Sequence, residues 1–274
     1  MKRQRRLLLG LSYAFVFGAM LVFLFPIAWL VLNSLKPPSE ILEISLPTQP
    51  TLVNYTNVLG TFPVGRYLRN SLVVALSSTL CSLFLGSLAA YGFTRYRFYG
   101  RKTMLISTLL MRMLPTIAIG IPLFILFSRL RMTNTFYGLI IAHAAVQLPL
   151  IIWIMQGFLE DIPVELAEAG MVDGCNRVNV LPYIILPLAT PGLAVAAIFA
   201  FLISWNDFGL SLTLISTPDL LTMPVGMSNM NLMYGVRWDS LSAAAIMYIV
   251  PTIVMALLLQ RYIVRGLTMG AVKG

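Results

Sequence analysis

LLLGLSYAFVFGAMLVFLFPIAWLVLNSL, residues 7–35, contains no charged side chain. At about 1.5 Å of rise per residue, a helix of this length exceeds the ~30 Å hydrocarbon core of a bilayer. Charge-free runs recur at 70–94, 132–159, 178–206 and 240–260, and 103–128 is interrupted only by Arg112. Lipid offers no partner to backbone N–H and C=O groups, so a helix, which pairs them internally, is the expected form of each run. None of the runs alternates with the period of two that a transmembrane barrel strand needs. The expected fold is an all-α membrane protein with six transmembrane helices, near 9–32, 70–94, 104–128, 136–158, 187–210 and 240–262. A soluble helical protein is excluded, because six such runs could not all be buried in one core of 274 residues.

Composition agrees. The chain is 58% hydrophobic and 11% charged, against about 25% charged in an ordinary soluble domain. Its net charge of +9 could point to nucleic acid, but the charges are distributed by topology. Lys2, Arg3, Arg5 and Arg6 precede the first span, and Arg95, Arg97, Arg101 and Lys102 separate the second from the third. Arg177, Arg261, Arg265 and Lys273 follow the fourth and sixth. All of these fall on one side of a six-span chain. They outnumber Lys36, Arg66, Arg69, Arg129, Arg131 and Arg237 on the other. The positive-inside rule then puts both termini in the cytoplasm, with no role for nucleic acid. The basic stretch 95–102 reads as a topology signal in contact with lipid headgroups. The first span has the charged flank of a signal peptide but is too long and lacks a small-residue cleavage site, so it is expected to be retained.

Several chemistries are excluded. Cys81 lies mid-span and Cys175 in a predicted cytoplasmic loop, so no disulfide is expected. One histidine, His143, and two distant cysteines cannot build a usual zinc, haem or iron–sulfur site, and no metal site is expected. No lysine follows a glycine and precedes Ser or Thr, so there is no Walker A loop and no ATP hydrolysis by that route. GxSxG and HExxH are also missing.

Between the first two spans, 36–69 is polar and carries prolines at 37, 38, 47, 50 and 63, as an extended external loop would. Between the last two, 207–239 reads as an external loop with a short helix or re-entrant piece, or as a seventh span. No internal repeat is visible. The whole chain, 1–274, reads as one transmembrane domain, with 1–8, 160–182 and 261–274 on the cytoplasmic side.

The loop between the fourth and fifth spans carries most information: EDIPVELAEAGMVDGCNRVNVLPYIILPLATPG, 160–192. Asp161 and Pro163 suit a helix start, where proline's missing N–H costs nothing. Glu165 and Glu168, three apart, share a face near the positive N-terminal end. Leu166, Ala169 and Gly170 form a small, weakly apolar surface beside them. Asp173 and Gly174 end the helix, Gly174 being suited to a left-handed turn. A second short helix follows before Pro182, Pro187 and Pro191 break or kink the chain. A short amphipathic helix of this kind fits a cleft in another protein.

This segment resembles the EAA loop of binding-protein-dependent ABC importer permeases: EAA, three residues, Gly, nine residues, then Ile-x-Leu-Pro. Glu168, Ala169, Gly174, Ile184, Leu186 and Pro187 fall on that spacing, and Gly170 replaces the second alanine. AAYGFTRYRFYGRK (89–102), SWNDF (204–208), LLTMPVGMSN (220–229) and QRYIVRGLTMGAVKG (260–274) are similar to the carbohydrate-uptake branch, in its maltose-type second permease. The resemblance implies six helices per subunit and a pore shared with a second homologous permease. It implies two ATP-binding subunits that hold ATP and Mg, so this chain is not an enzyme and needs no cofactor. It also implies an extracytoplasmic sugar-binding protein, a sugar substrate, and a bacterial or archaeal plasma membrane. Glu165, Glu168, Ala169, Gly170, Asp173 and Gly174 would couple ATPase motion to the spans.

Candidate substrate-pathway residues are fewer. Arg112, about ten residues into the third span, is costly in lipid and should face protein, water or a polar or anionic solute. Trp205, Asn206 and Asp207 close the fifth span, where an aromatic beside hydrogen-bonding groups suits a sugar or else an interfacial helix end. His143 and Gln147, one turn apart, read as a hydrogen-bonded pair inside the bundle or as a proton relay. The methionines are scattered and suit helices that slide over one another. A gradient-driven transporter would want acidic residues inside spans, and all ten lie outside them or at their ends. A membrane-embedded enzyme would want several polar catalytic groups at one depth. Neither fits as well.

Overall fold

The computed structural model describes residues 2–234 and 237–271. Lys273 and the last three residues of the 260–274 segment lie outside them, as do the side chains of Lys2, Arg3, Arg5, Arg6 and Arg265. The regular structure of the described residues is entirely helical, with no strand. In chain order the helices are α1 (Lys2–Ser34), α2 (Val53–Thr61), α3 (Val64–Arg95), α4 (Arg101–Met113), α5 (Thr116–Arg129) and α6 (Phe136–Glu160). Next come α7 (Val164–Val172), a wide helical turn at Leu181–Ile185, α8 (Leu186–Leu188), α9 (Thr190–Trp205), α10 (Gly209–Leu214), α11 (Met223–Tyr234) and α12 (Trp238–Ala271).

Four unbroken helices are long and apolar enough to cross a membrane: Leu9–Ser34, Val64–Arg95, Phe136–Glu160 and Trp238–Tyr262. The other two expected spans are bent pairs, Arg101–Met113 with Ala118–Arg129 at 104° and Leu181–Leu188 with Thr190–Trp205 at 80°. Six spans result if each pair counts as one, as the charge-free runs predict. The first break falls at Leu114, whose ψ of 129° is extended; the following Pro115 disfavours the helical region for the residue before it. Arg112 therefore sits in the last turn of α4, beside a break, rather than deep in a continuous helix. α3 begins at Val64, several residues before the expected boundary, so the loop between the first two spans is shorter than its prolines suggest. The 207–239 stretch is divided into helical pieces, and α11, at 12 residues, is too short for a seventh span.

The chain divides into two compact units: one runs to Gly65 and includes Met227–Val250, the other comprises Arg66–Gly226 and the segment from Pro251. In the first unit the loop after α1 is tied down by polar contacts. Asn54 Nδ2 donates to the carbonyls of Ser34 at 3.0 Å and Lys36 at 2.7 Å. The buried Lys36 donates from Nζ to the Glu43 carbonyl at 2.6 Å and lies 4.9 Å from the Trp29 ring centroid, a cation–π distance.

The second unit is built on α6 packed against α9. Gly192 of α9 meets Phe158 of α6, and a Cβ there would overlap the ring. Gly86 of α3 is likewise closed off by Ile151. Between helices in lipid, where apolar burial gives no advantage over lipid tails, such small residues permit close backbone approach. The core of this unit gathers Ala90, Ile151, Met155, Leu159, Ala196 and Ala200 with α7 and the Leu181–Ile185 turn.

Candidate functional site

α7 is anchored on one face and bare on the other. Ala167 and Gly170 are buried, and a Cβ on Gly170 would run into Ile184 of the following turn. Glu165, Leu166, Glu168, Ala169 and Val172 are exposed, so the two carboxylates and Ala169 beside Glu168 face outward. The helix ends in a Schellman turn: Cys175 N–H donates to Gly170 O at 2.9 Å and Gly174 N–H to Met171 O at 3.2 Å. Gly174 has φ +96°, a left-handed conformation that glycine adopts without a Cβ penalty. Asp173, at the cap, is exposed.

Two connections tie α7 to the rest of its unit. Ala167 shares a hydrophobic cluster with Leu181 and Ile185, which lead through α8 into α9. Arg95, at the end of α3, donates to the carbonyls of Leu159 at 3.3 Å and Ile162 at 2.7 Å, clasping the corner from α6 to α7. These contacts connect α7 to α9 and, through the corner, to α3 and α6. Sequence reasoning took Arg95 for a topology signal; its place in the 89–102 segment was the clue to more.

The second feature is a polar seam through apolar helices. Ser82 Oγ donates to Gln147 Oε1 at 2.8 Å, and Gln147 Nε2 donates to Ser78 Oγ at 3.3 Å. Ser78 Oγ donates to Ser204 Oγ at 3.0 Å, and Ser204 Oγ lies 2.6 Å from His143 Nδ1. The other ring nitrogen of His143, Nε2, lies 3.3 Å from Asp207 Oδ2. The carboxylate also accepts from Ser211 N–H at 3.0 Å and Ser211 Oγ at 3.1 Å, capping the start of α10. The seam joins α3, α6, α9 and α10. His143 and Gln147 are hydrogen-bonded inside the bundle, but to serines on other helices rather than to each other.

Two cavities open beside this seam. One, of about 340 Å³, is lined by His143, Ser204, Asn206, Asp207, Thr116 and Val146. The other, of about 310 Å³, is lined by Arg112, Thr116 and Val146 among mainly apolar residues. Thr116 and Val146 line both, so the two cavities adjoin, and Arg112 and Asn206 mark the two ends of the track they outline. Arg112 is exposed and enters no ion pair among the described residues. Of the candidate pathway residues, Arg112, Asn206 and Asp207 line the track. Gln147 and Trp205 do not. Gln147 is fully buried, and Trp205 is 1% exposed and stacks on Phe201 at 5.4 Å between ring centroids. Ser78, Ser82 and Ser204 were not singled out from sequence, since serines in an apolar run carry no periodic signal. Among the described residues no cluster of His, Cys, Asp and Glu could hold a metal ion.

Comparison with known proteins places this architecture. The trehalose/maltose transport system permease protein MalG of Thermococcus litoralis is 36% identical over 266 residues, covering 94% of this chain and 96% of that protein. The sulfoquinovosyl glycerol transport system permease protein SmoH of Agrobacterium fabrum is 34% identical, covering 92% and 89%. The galactooligosaccharides transport system permease protein GanQ of Bacillus subtilis is 32% identical, covering 100% and 99%. A crystal structure of a bacterial ABC transporter involved in the import of the acidic polysaccharide alginate contains a chain with the same fold, at a TM-score of 0.80 and 21% identity over 93% of this chain and 96% of that one. Residues 82–269 match the family described as the binding-protein-dependent transport system inner membrane component, so this chain belongs to that family, the multi-pass permease subunits of ABC importers, in which separate subunits hydrolyse ATP.

Proposed function

We propose that this chain forms half of the translocation pore of a sugar importer in a bacterial or archaeal plasma membrane. It works with a second homologous permease, two ATP-binding subunits and an extracytoplasmic sugar-binding protein. Both termini and α7 face the cytoplasm, in keeping with the bias of Lys and Arg. The outward face of α7, with Glu165, Glu168 and Ala169, docks in a cleft of one ATPase. When the ATPases close on ATP, the clefts move and α7 carries that motion through the Leu181–Ile185 turn into α9. The single observation behind this mechanism is the two-faced α7, bare on one side and seated on that turn on the other.

The sugar assignment rests on relatives named for sugars that range from neutral disaccharides to sulfoquinovosyl glycerol. The track from Arg112 to Asn206 is the proposed surface this subunit offers to solute. Uptake of labelled neutral and anionic sugars by cells lacking the chain tests the reading. Loss of uptake of one sugar, restored by the intact chain and not by Glu168→Arg, supports it. Unchanged uptake of every sugar, with loss of uptake of another solute class, overturns it.

A further inference from the structure

A cavity of about 530 Å³ lies between the end of α3, the start of α4 and α7, with the exposed Glu168 in its wall. Four guanidinium groups line it, from Arg95, Arg97, Arg101 and Arg177, against a single carboxylate, Glu168. Arg95 is engaged by backbone carbonyls. Arg97, Arg101 and Arg177 make no ion pair and no side-chain hydrogen bond among the described residues, whose ion pairs are Arg66–Asp219, His143–Asp207 and Arg237–Asp239. Cations gathered round one cavity repel unless an anion is shared between them. Guanidinium forks match the oxygens of a phosphate in pairs. The surroundings are those of a membrane boundary: the cavity follows the end of the α3 span, and Tyr96, Phe98 and Tyr99 beside it are exposed.

We propose that this cavity binds a phosphate group, either the headgroup of an anionic phospholipid or a soluble phosphate. Because Val164, Ala167 and Glu168 of α7 form one wall, the bound phosphate holds α7 to the α3–α4 corner and makes its seating sensitive to the anion. The site needs only the membrane reading of the chain, and its test reads binding rather than transport. A failed importer assignment would therefore not be mistaken for a failed phosphate site.

The test is native mass spectrometry of the full permease complex in mild detergent, titrated with phosphatidylglycerol, phosphatidylcholine or inorganic phosphate. Phosphatidylglycerol is expected to bind more tightly than phosphatidylcholine. Binding should weaken about fivefold for each arginine removed in Arg97→Gln, Arg101→Gln and Arg177→Gln, from about 1 kcal/mol per basic residue at an anionic surface. Arg129→Gln with Arg131→Gln, a basic pair outside the cavity, should bind as the unaltered complex does. Arginine-dependent binding of phosphatidylglycerol alone identifies a lipid headgroup, and the same dependence for inorganic phosphate identifies a soluble anion. Should the triple variant fail to fold, Arg177→Gln alone, on an exposed loop, decides. Binding unaffected by the cavity arginines, or weakened equally by the control pair, overturns the proposal.

Discussion

Ser204→Ala should destabilise the protein more than Gln147→Leu, although it removes one hydroxyl and the other removes a whole amide. Gln147 is fully buried and makes two hydrogen bonds, to Ser82 at 2.8 Å and Ser78 at 3.3 Å. Both serines have a second acceptor in reach: Ser82 Oγ is 3.0 Å from Thr79 O, and Ser78 Oγ is 3.2 Å from Ala75 O. Replacing Gln147 by leucine therefore strands no polar group. The cost is about 1 kcal/mol, two interhelical hydrogen bonds at the ~0.6 kcal/mol average measured within membranes. Ser204→Ala leaves His143 Nδ1 facing a methyl group, in a residue only 2% exposed. A buried polar atom without a partner costs about 1–3 kcal/mol, and the imidazole's hold on Asp207 and the α10 cap loosens with it. Thermal unfolding of the detergent-purified complex, followed by intrinsic fluorescence, should show the larger fall in midpoint for Ser204→Ala. An equal fall, or a larger one for Gln147→Leu, would refute the reasoning that His143 depends on Ser204 for its buried partner.

Gly174→Val, placing a β-branched residue at φ +96°, should cost at least the 1–2 kcal/mol of a left-handed residue; ATPase activity stimulated by the permease should fall while assembly of the two permeases persists. Gly192→Leu forces a side chain into Phe158, and overpacking of about 1–3 kcal/mol should appear as a lower unfolding midpoint and a smaller yield of folded protein. Thr48 donates to the Glu40 carboxylate from both its hydroxyl and its N–H, and this holds that carboxyl below the usual carboxylate range. With the folded value lowered, the loop contact is present above the ordinary glutamate pKa of about 4.3 and lost as pH falls through the lowered value. Proteolysis of the 36–52 loop by an acid protease should accelerate only at the bottom of that window, and Glu40→Gln should remove the dependence.

The features legible in the sequence are those with a physical period or a forced local geometry. Charge-free runs reported the spans because a charge in hydrocarbon is expensive at any register. α7 is bounded almost to the residue by Pro163 and Gly174, since proline's fixed φ suits a helix start and glycine takes the left-handed φ of the closing turn without a Cβ penalty. The fracture in the third span had its signal in Pro115, but an apolar run that long masked it, and Arg112 was consequently placed too deep. Trp205 reads equally as a sugar platform or an interfacial anchor, because burial against Phe201 depends on where α9 packs. The seam was hidden for a related reason. Ser78, Ser82, Gln147 and Ser204 come from three distant runs, and their alignment depends on how α3, α6 and α9 pack together. Likewise Arg177 reads as an isolated loop charge until the fold brings it to the cavity shared with Arg95, Arg97 and Arg101.

The claim on which the account rests is that α7 is the contact through which ATPase subunits drive this permease. Affinity purification from native membranes in mild detergent, with mass spectrometry of what is retained, tests it directly. The intact chain should bring down a second six-span permease and an ATP-binding subunit in stoichiometric amounts, and Glu168→Arg, on the exposed face of α7, should release the ATPase while keeping the permease pair. Recovery of the chain alone, or an ATPase that stays bound to the Glu168→Arg variant as firmly as to the intact chain, would contradict it.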